Sequence, residues 1–295
     1  MIAALSAETP VLVQGLTGRM GRAHAVHMRR YGTRIVGGTA LRGDAPAAVD
    51  GVPVFSNIAA AVAATGAHAC IAMVPPAGVR AAAEAALAAG ISLLVTIAEG
   101  VPVHDALAIG RAARAAGATW VGPSTPGLAL PGRMKLGFLP DVALRPGDIA
   151  LMSKSGTLSY EVGYRMAQRG LGQSLWVGVG GDPVKGVRFA DLLPVFQADP
   201  GTRAIVLVGE VGGAEEEEFA AALAATPNAK PVFAVIAGRE AKEGVAMGHA
   251  GALTWGDFGT FAAKRARLEA AGARCFTSVE ALVEALAAEH RFRTG

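Results

Sequence analysis

The residues best suited to group transfer in this chain are a histidine and a glutamate, each set among glycines. His249 lies in Met247-Gly248-His249-Ala250-Gly251-Ala252, with only small residues beside the imidazole. Glu210 lies in Gly209-Glu210-Val211-Gly212-Gly213. Apolar runs that read as strands precede both, at 231–237 and 205–208. Both residues are therefore expected near the carboxyl ends of sheet strands, where α/β proteins bind their ligands. A neutral imidazole nitrogen can take up a phosphoryl group and pass it on, which splits one hard step into easier ones. A carboxylate bonded to the other ring nitrogen fixes the tautomer and raises basicity. Taken alone, a loop histidine is more often a turn that happens to carry one.

Two further turns are built for anions. Gly15-Leu16-Thr17-Gly18-Arg19-Met20-Gly21 follows an apolar run and opens a helical pattern. Glycines there allow close approach of a phosphate, and the free N–H groups of a helix start attract negative charge. The spacing is G-x-x-G-x-x-G, not the dinucleotide G-x-G-x-x-G. After the second strand the chain carries Arg42 where a dinucleotide site wants an acid. An arginine suits a phosphorylated ribose, as in NADP or coenzyme A. Pro75-Pro76 and Ile97-Ala98-Glu99 end two neighbouring strands on the same expected edge. Ser153-Lys154-Ser155-Gly156-Thr157-Leu158-Ser159-Tyr160-Glu161 is the second turn. Its four hydroxyl residues exceed what one helix cap needs, so a phosphate or carboxylate site is expected beside plain capping. The acidic run at 215–218 reads as a solvated helix start favoured by the macrodipole.

These turns need a scaffold, and the apolar pattern supplies one. Short apolar runs at 11–13, 34–36, 69–74, 93–97 and 119–121 alternate with alanine-rich helical stretches. The alternation breaks at 127–147, punctuated by Gly132, Pro140, Pro146 and Gly147, and resumes to the end. This predicts two α/β domains with mainly parallel sheets, at 1–126 and 148–295, joined by a linker at 127–147. In 295 residues, 52% are hydrophobic and 17% charged, which indicates a well-buried globular chain. The net charge of +3, without a basic block, argues against nucleic acid but suits small polyanions. Two cysteines, Cys70 and Cys275, form no CxxC pair, so neither a metal site nor a disulfide framework is expected. Without a signal-like N-terminus or a long apolar run, a cytoplasmic protein with no membrane association is expected.

Seven motifs in order carry a resemblance. They are Gln14-Gly15-Leu16-Thr17-Gly18, Tyr31-Gly32-Thr33 with Val36-Gly37-Gly38, Glu99-Gly100, Ser155-Gly156-Thr157-Leu158 with Tyr160-Glu161, Val179-Gly180-Gly181-Asp182-Pro183, Gly209-Glu210 with Gly212-Gly213, and the His249 loop. From Val11 to about Leu286 the chain resembles the α subunits of succinyl-CoA synthetase, in the NDP-forming acyl-CoA synthetase superfamily. The resemblance implies a Rossmann-like CoA-binding domain followed by a flavodoxin-like ligase domain. It implies that coenzyme A is held by Thr17, Gly18, Arg19, Met20, Ile97, Ala98 and Glu99; Pro75, on the same expected edge, is a further candidate contact or a simple strand stop. His249 would be phosphorylated, steadied by Glu210, with the Ser155, Gly156 and Thr157 helix start cradling the phosphate. Tyr160 would sit at the contact with the β subunit and the acid substrate. ATP or GTP with Mg2+ would bind mainly an ATP-grasp β subunit in an αβ or α2β2 assembly, because this chain has no G-x-x-x-x-G-K-[ST] loop.

Two departures qualify the resemblance. Arg42 stands where the family commonly has a CoA-contacting lysine. Ser124-Thr125 stands where the succinate enzymes usually have Asn-Cys, near the acid. The expected substrate is a small dicarboxylate such as succinate, with malate or citrate as the alternative. An NADP-dependent oxidoreductase and a non-catalytic CoA-binding protein are the other readings. Both leave the His249–Glu210 pair unused.

Overall fold

The computed structural model describes residues 2–41, 46–242, 244–245, 248–249 and 251–294. The chain divides into two compact units, residues 1–139 with 184–187, and residues 140–183 with 188–295.

The first unit contains β1 (Val11–Gln14), α1 (Arg19–Tyr31), β2 (Ile35–Thr39), β3 (Ala48–Val49), β4 (Val52–Phe55), α2 (Ile58–Thr65), β5 (Ala69–Ala72), α3 (Val79–Ala88), β6 (Leu93–Thr96), α4 (Val103–Ala115), β7 (Thr119–Val121), β8 (Gly127–Leu130) and β9 (Met134–Gly137). Its sheet runs β3-β4-β2-β1-β5-β6-β7, and only β3 is antiparallel to its neighbour. Without that edge strand the order is the 3-2-1-4-5-6 of dinucleotide-binding folds, which reverses between β1 and β5. The central strands are apolar along their length because helices cover both faces. Every residue of β1, β5 and β6 is buried. Leu12, Cys70 and Leu94 pack there with Ala83 of α3 and Ile109 of α4.

The stretch at 127–147, without periodicity in the sequence, holds the β8–β9 hairpin. Its strands are four residues long and buried throughout β9, including Lys135 at 4% exposure. A lysine at a buried strand position hides the alternation. Its ammonium donates to the carbonyl of Leu139 at 2.9 Å, and Thr33 Oγ1 exchanges hydrogen bonds with the Lys135 backbone.

The second unit contains β10 (Pro146–Ser153), α5 (Gly156–Gln168), β11 (Gln173–Gly178), α6 (Phe189–Ala198), β12 (Ala204–Glu210), α7 (Glu215–Ala224), β13 (Val232–Ala237), α8 (Phe261–Ala270), β14 (Arg274–Phe276) and α9 (Val279–Thr294). These five strands are parallel in the order β14-β13-β12-β10-β11. That is the flavodoxin-like 2-1-3-4-5, reversing between β10 and β12. Helix α8 starts at Phe261, where Thr260 caps it by accepting the Ala263 N–H at 3.2 Å. Among the described residues no helix is long and apolar enough to cross a membrane.

Candidate active site

Each unit gathers its candidate residues where its strand order reverses. In the first, the β1–α1 turn lies beside the loop that follows β5. A Cβ on Gly21 would meet the Gly15 carbonyl oxygen at 2.1 Å, so only glycine lets α1 start this close to the strand. Gly18 is the N-cap of α1 with φ −72° and ψ 154°, and no side chain caps the helix. Arg19 and Met20 follow on the exposed first turn. The Thr17 hydroxyl is tied inward and accepts the Leu41 N–H at 3.0 Å. Pro75 is exposed just before a short turn at Pro76–Gly78. Ile97 is buried, Ala98 half-buried and Glu99 exposed at the end of β6. The turn thus offers bare backbone N–H groups to an anion. Arg42 lies outside the described residues.

Beyond β7 the Ala98 carbonyl accepts the Ser124 N–H at 2.9 Å. Ser124 is half-buried with φ +54°. Thr125 is only 3% exposed, and its hydroxyl accepts the Gly127 N–H at 2.9 Å. Of the two hydroxyls expected near an acid substrate, Thr125 is already engaged within its own turn.

In the second unit four loops at the carboxyl edge converge. Ser153 at the end of β10 is in register with Val208 of β12, which sets the start of α5 beside Glu210. The Nδ1–H of His249 donates to Glu210 Oε2 at 2.7 Å. A carboxylate only accepts, so this bond puts the proton on Nδ1 and makes Nε2 the basic ring nitrogen. The His249 side chain is 29% exposed and that of Glu210 8%. The loop after β11 supports the ring. A Cβ on Gly181 would meet His249 Cγ and Nδ1 at 2.4 Å, so glycine is required there for the imidazole to seat.

Helix α5 begins more self-sufficiently than its composition suggests. Ser155 Oγ accepts the Leu158 N–H at 3.3 Å, Ser153 Oγ donates to the Ser155 carbonyl at 2.6 Å, and Ser159 Oγ donates to the Gly156 carbonyl at 2.8 Å. Thr157 remains exposed on the first turn beside half-buried Gly156. Tyr160 is half-buried, its ring 6.4 Å from that of Trp176, and burial pushes its phenol above the ordinary range.

The acidic run at 215–218 is not a solvated helix start. Glu215 is 3% exposed and Glu216 fully buried. Glu216 lies between two lysines: Lys154 Nζ at 3.3 Å from Oε1, and Lys264 Nζ donating to Oε2. Lys154 also stands 3.9 Å from Glu210 Oε1, and Lys264 pairs with Glu217 at 2.9 Å. Burial pulls the Lys154 ammonium down, but Glu216, Glu215 and Glu210 outweigh it and hold its pKa above the usual lysine value. Burial likewise opposes ionisation of Glu216, and Lys154 and Lys264 outweigh that, so its carboxyl lies below its usual value. Lys154 sits between two serines singled out in the sequence, whereas Lys264 stands in an ordinary amphipathic pattern that carries no signal. Among the described residues no group of His, Cys, Asp and Glu is arranged to hold a metal ion.

Comparison with known proteins agrees with both halves. The CoA binding domain model matches residues 6–100 and the CoA-ligase model residues 152–274. The α2 subunit of an ADP-forming succinate–CoA ligase from Archaeoglobus fulgidus is 43% identical, covering 90% of this chain and 92% of its own length. An ADP-forming sulfoacetate–CoA ligase subunit from Bilophila wadsworthia is 41% identical over 95% of this chain and 97% of its own. The malate–CoA ligase α subunit of Methylorubrum extorquens is 40% identical over 83% and 84%. ATP citrate lyase of Methanosaeta concilii has the same fold, with a TM-score of 0.86 at 24% identity, covering 95% of this chain and 49% of that one. The relatives are ligases, which removes the oxidoreductase and non-catalytic readings. With both domain models matched in order and 43% identity over nine-tenths of its length, the chain belongs to the succinate–CoA ligase α-subunit family of NDP-forming acid–CoA ligases.

Proposed function

We propose that this chain carries a phosphohistidine at Nε2 of His249 and acts with a partner subunit to join a small dicarboxylic acid to coenzyme A. The observation that carries the reading is the 2.7 Å bond from His249 Nδ1–H to buried Glu210, which fixes the proton on Nδ1 and makes Nε2 the basic, nucleophilic nitrogen. Nε2 attacks the γ-phosphorus of a nucleoside triphosphate, the β–γ bridging P–O bond breaks, and the diphosphate leaves. The phosphoryl group then passes from nitrogen to a carboxylate oxygen of the acid. The coenzyme A thiolate attacks that acyl carbon, the C–S bond forms, and inorganic phosphate departs. Glu210 balances the positive charge on the ring while phosphorus is attached. The exposed start of α5, with Gly156 and Thr157, supplies N–H groups and a helix dipole for the transferred phosphate.

Coenzyme A fits the uncapped start of α1, where Gly18, Arg19 and Met20 present backbone N–H groups to its phosphates. The nucleotide and Mg2+, which neutralises phosphate charge, are assigned to an ATP-grasp β subunit. For the acid, relatives at 40–43% identity act by name on succinate, sulfoacetate and malate. We assign succinate or a hydroxylated analogue such as malate or citrate, with the Ser124 hydroxyl as the group that distinguishes them, since Thr125 is only 3% exposed while Ser124 is half-buried. The test is incubation of the full chain and its partner with γ-labelled ATP and Mg2+. One acid-labile, base-stable phosphoryl group is expected on His249, discharged by coenzyme A plus the cognate acid. The acid that discharges it with the highest kcat/KM identifies the substrate. Acyl-CoA formation without label ever reaching this chain refutes the reading.

A further inference from the structure

Behind the His249–Glu210 pair lies a group of buried charges that the proposed chemistry does not use. Glu216 is its hub. Its Oε1 accepts the backbone N–H of Glu210 at 3.0 Å and faces Lys154 Nζ at 3.3 Å, while its Oε2 accepts from Lys264 Nζ. Lys154 in turn faces the Glu210 oxygen that His249 does not use. That atom, Oε1, is buried without a hydrogen-bond partner, and Lys154 Nζ stands 3.9 Å away. Lys264, with no exposed side-chain surface, also donates to the carbonyl of Gly213 at 2.9 Å and to Glu217 at 2.9 Å. The lysines therefore hold the turn that follows Glu210, and Lys154 sets a positive charge near its carboxylate without bonding it.

Such a group is poorly explained by stability. Desolvating buried ion pairs costs about what their attraction returns, and apolar replacements of similar volume are often neutral or better. Fixed charges near a reacting group, however, set the potential it feels, and burial prevents water from screening them. We propose that Lys154, Glu216 and Lys264 are positioning residues for His249, a buried charge relay that aims Glu210 and sets the electrostatic potential at the imidazole. It rests on the reading of His249 as the phosphoryl acceptor, and extends the acceptor's machinery from β10 through α7 to α8. The charged groups facing the pair are Lys154 after β10, Glu215, Glu216 and Glu217 on α7, and Lys264 on α8.

The sign of the effect separates a relay from mere scaffolding. Removing a positive charge favours the imidazolium, so the His249 titration midpoint rises. Removing a negative charge lowers it. The measurement is an NMR pH titration of the His249 ring in the full-length chain labelled at histidine, with the resonance assigned by its loss in His249→Asn. Lys264→Met is expected to raise the midpoint by about 0.5 pH unit or more, and Glu216→Gln to lower it by a similar amount. The double variant Lys264→Met with Glu216→Gln restores the local charge and is expected back near the parent value. Glu217→Gln, whose carboxylate is 24% exposed and which leaves the buried pair intact, is expected to lower the midpoint by roughly 0.2 unit. Should an interior variant fail to fold, Glu217→Gln still decides. The same preparations, assembled with the partner and labelled ATP, report phosphorylation separately. Opposed midpoint shifts without label in the parent chain sustain the relay and remove the phosphohistidine. Label in the parent chain, with midpoints unmoved in Glu217→Gln and in every folded interior variant, overturns the relay and leaves the phosphohistidine standing.

Discussion

Helices α1 and α5 each start directly after a strand at which their sheet reverses order, and they solve the first turn in opposite ways. At α1 the cap is Gly18, with no side chain to satisfy the helix N–H groups. At α5 the cap is Ser155, which accepts the Leu158 N–H, while Ser153 and Ser159 also bond locally. Glycine at an N-cap costs only a few tenths of a kcal/mol against serine, so α1 gives up little stability by leaving its N–H groups bare. What it leaves bare is backbone N–H groups, which we propose receive the phosphates of coenzyme A. Helix α5 caps its own first turn, and only Thr157 and the outermost N–H groups remain for a phosphate. Hydroxyl-rich sequence at a helix start can thus serve the helix itself, whereas a glycine cap leaves its first-turn N–H groups unbonded by a side chain.

The contrast can be broken or sharpened by experiment. The largest effect is expected in the second unit: His249→Ala should abolish phosphoryl labelling and acyl-CoA formation while coenzyme A still binds, as calorimetry on the full chain would report. Full ligase activity in that variant would reduce His249 to a loop residue. Glu210→Gln should slow labelling about a hundredfold or more, because a neutral amide neither fixes the tautomer nor balances the imidazolium. Stopped-time labelling measures it, and an unchanged rate would contradict the assigned role. In the first unit, Gly18→Val should weaken coenzyme A binding by roughly tenfold or more, the equivalent of one charge-assisted hydrogen bond. Its φ of −72° suits any residue, but the new Cβ would meet Leu41 Cδ2 at 3.0 Å and the Gly15 carbonyl oxygen at 3.2 Å, so an unchanged melt is the control that lets the loss be read as crowding of the site. Smallest is a split at α5. Ser155→Ala should lower stability by about 1 kcal/mol, seen in denaturant melts. Thr157→Val should leave melts unchanged and slow labelling. A stability loss in Thr157→Val instead would mean that the exposed hydroxyl serves the helix and not a phosphate.

Much of this was legible in residue types and their order. Apolar runs such as Val11-Leu12-Val13 and Ile205-Val206-Leu207-Val208 mark strands covered on both faces, and glycine turns after them mark the ligand edge. The two α/β halves follow from that alternation, and the ordered motifs identify the family. The β8–β9 hairpin escaped because its strands are short and a buried lysine interrupts them. Thr125 was expected near a substrate; that it is 3% exposed and accepts the Gly127 N–H could not be read from its type or position.

The sequence by itself determined which residues can do chemistry: an imidazole and a carboxylate set among glycines, and a bare glycine at a helix start. These properties are local, set by backbone freedom and by the chemistry of one side chain. Only the tertiary structure decided what surrounds them. The 2.7 Å bond from His249 to Glu210 joins residues 39 positions apart, and Glu216 meets Lys264 across 48. Whether four consecutive glutamates dissolve in water or anchor two buried lysines depends on which helix packs over them. Electrostatic potential acts through space and through the absence of solvent, and neither quantity is written in sequence spacing.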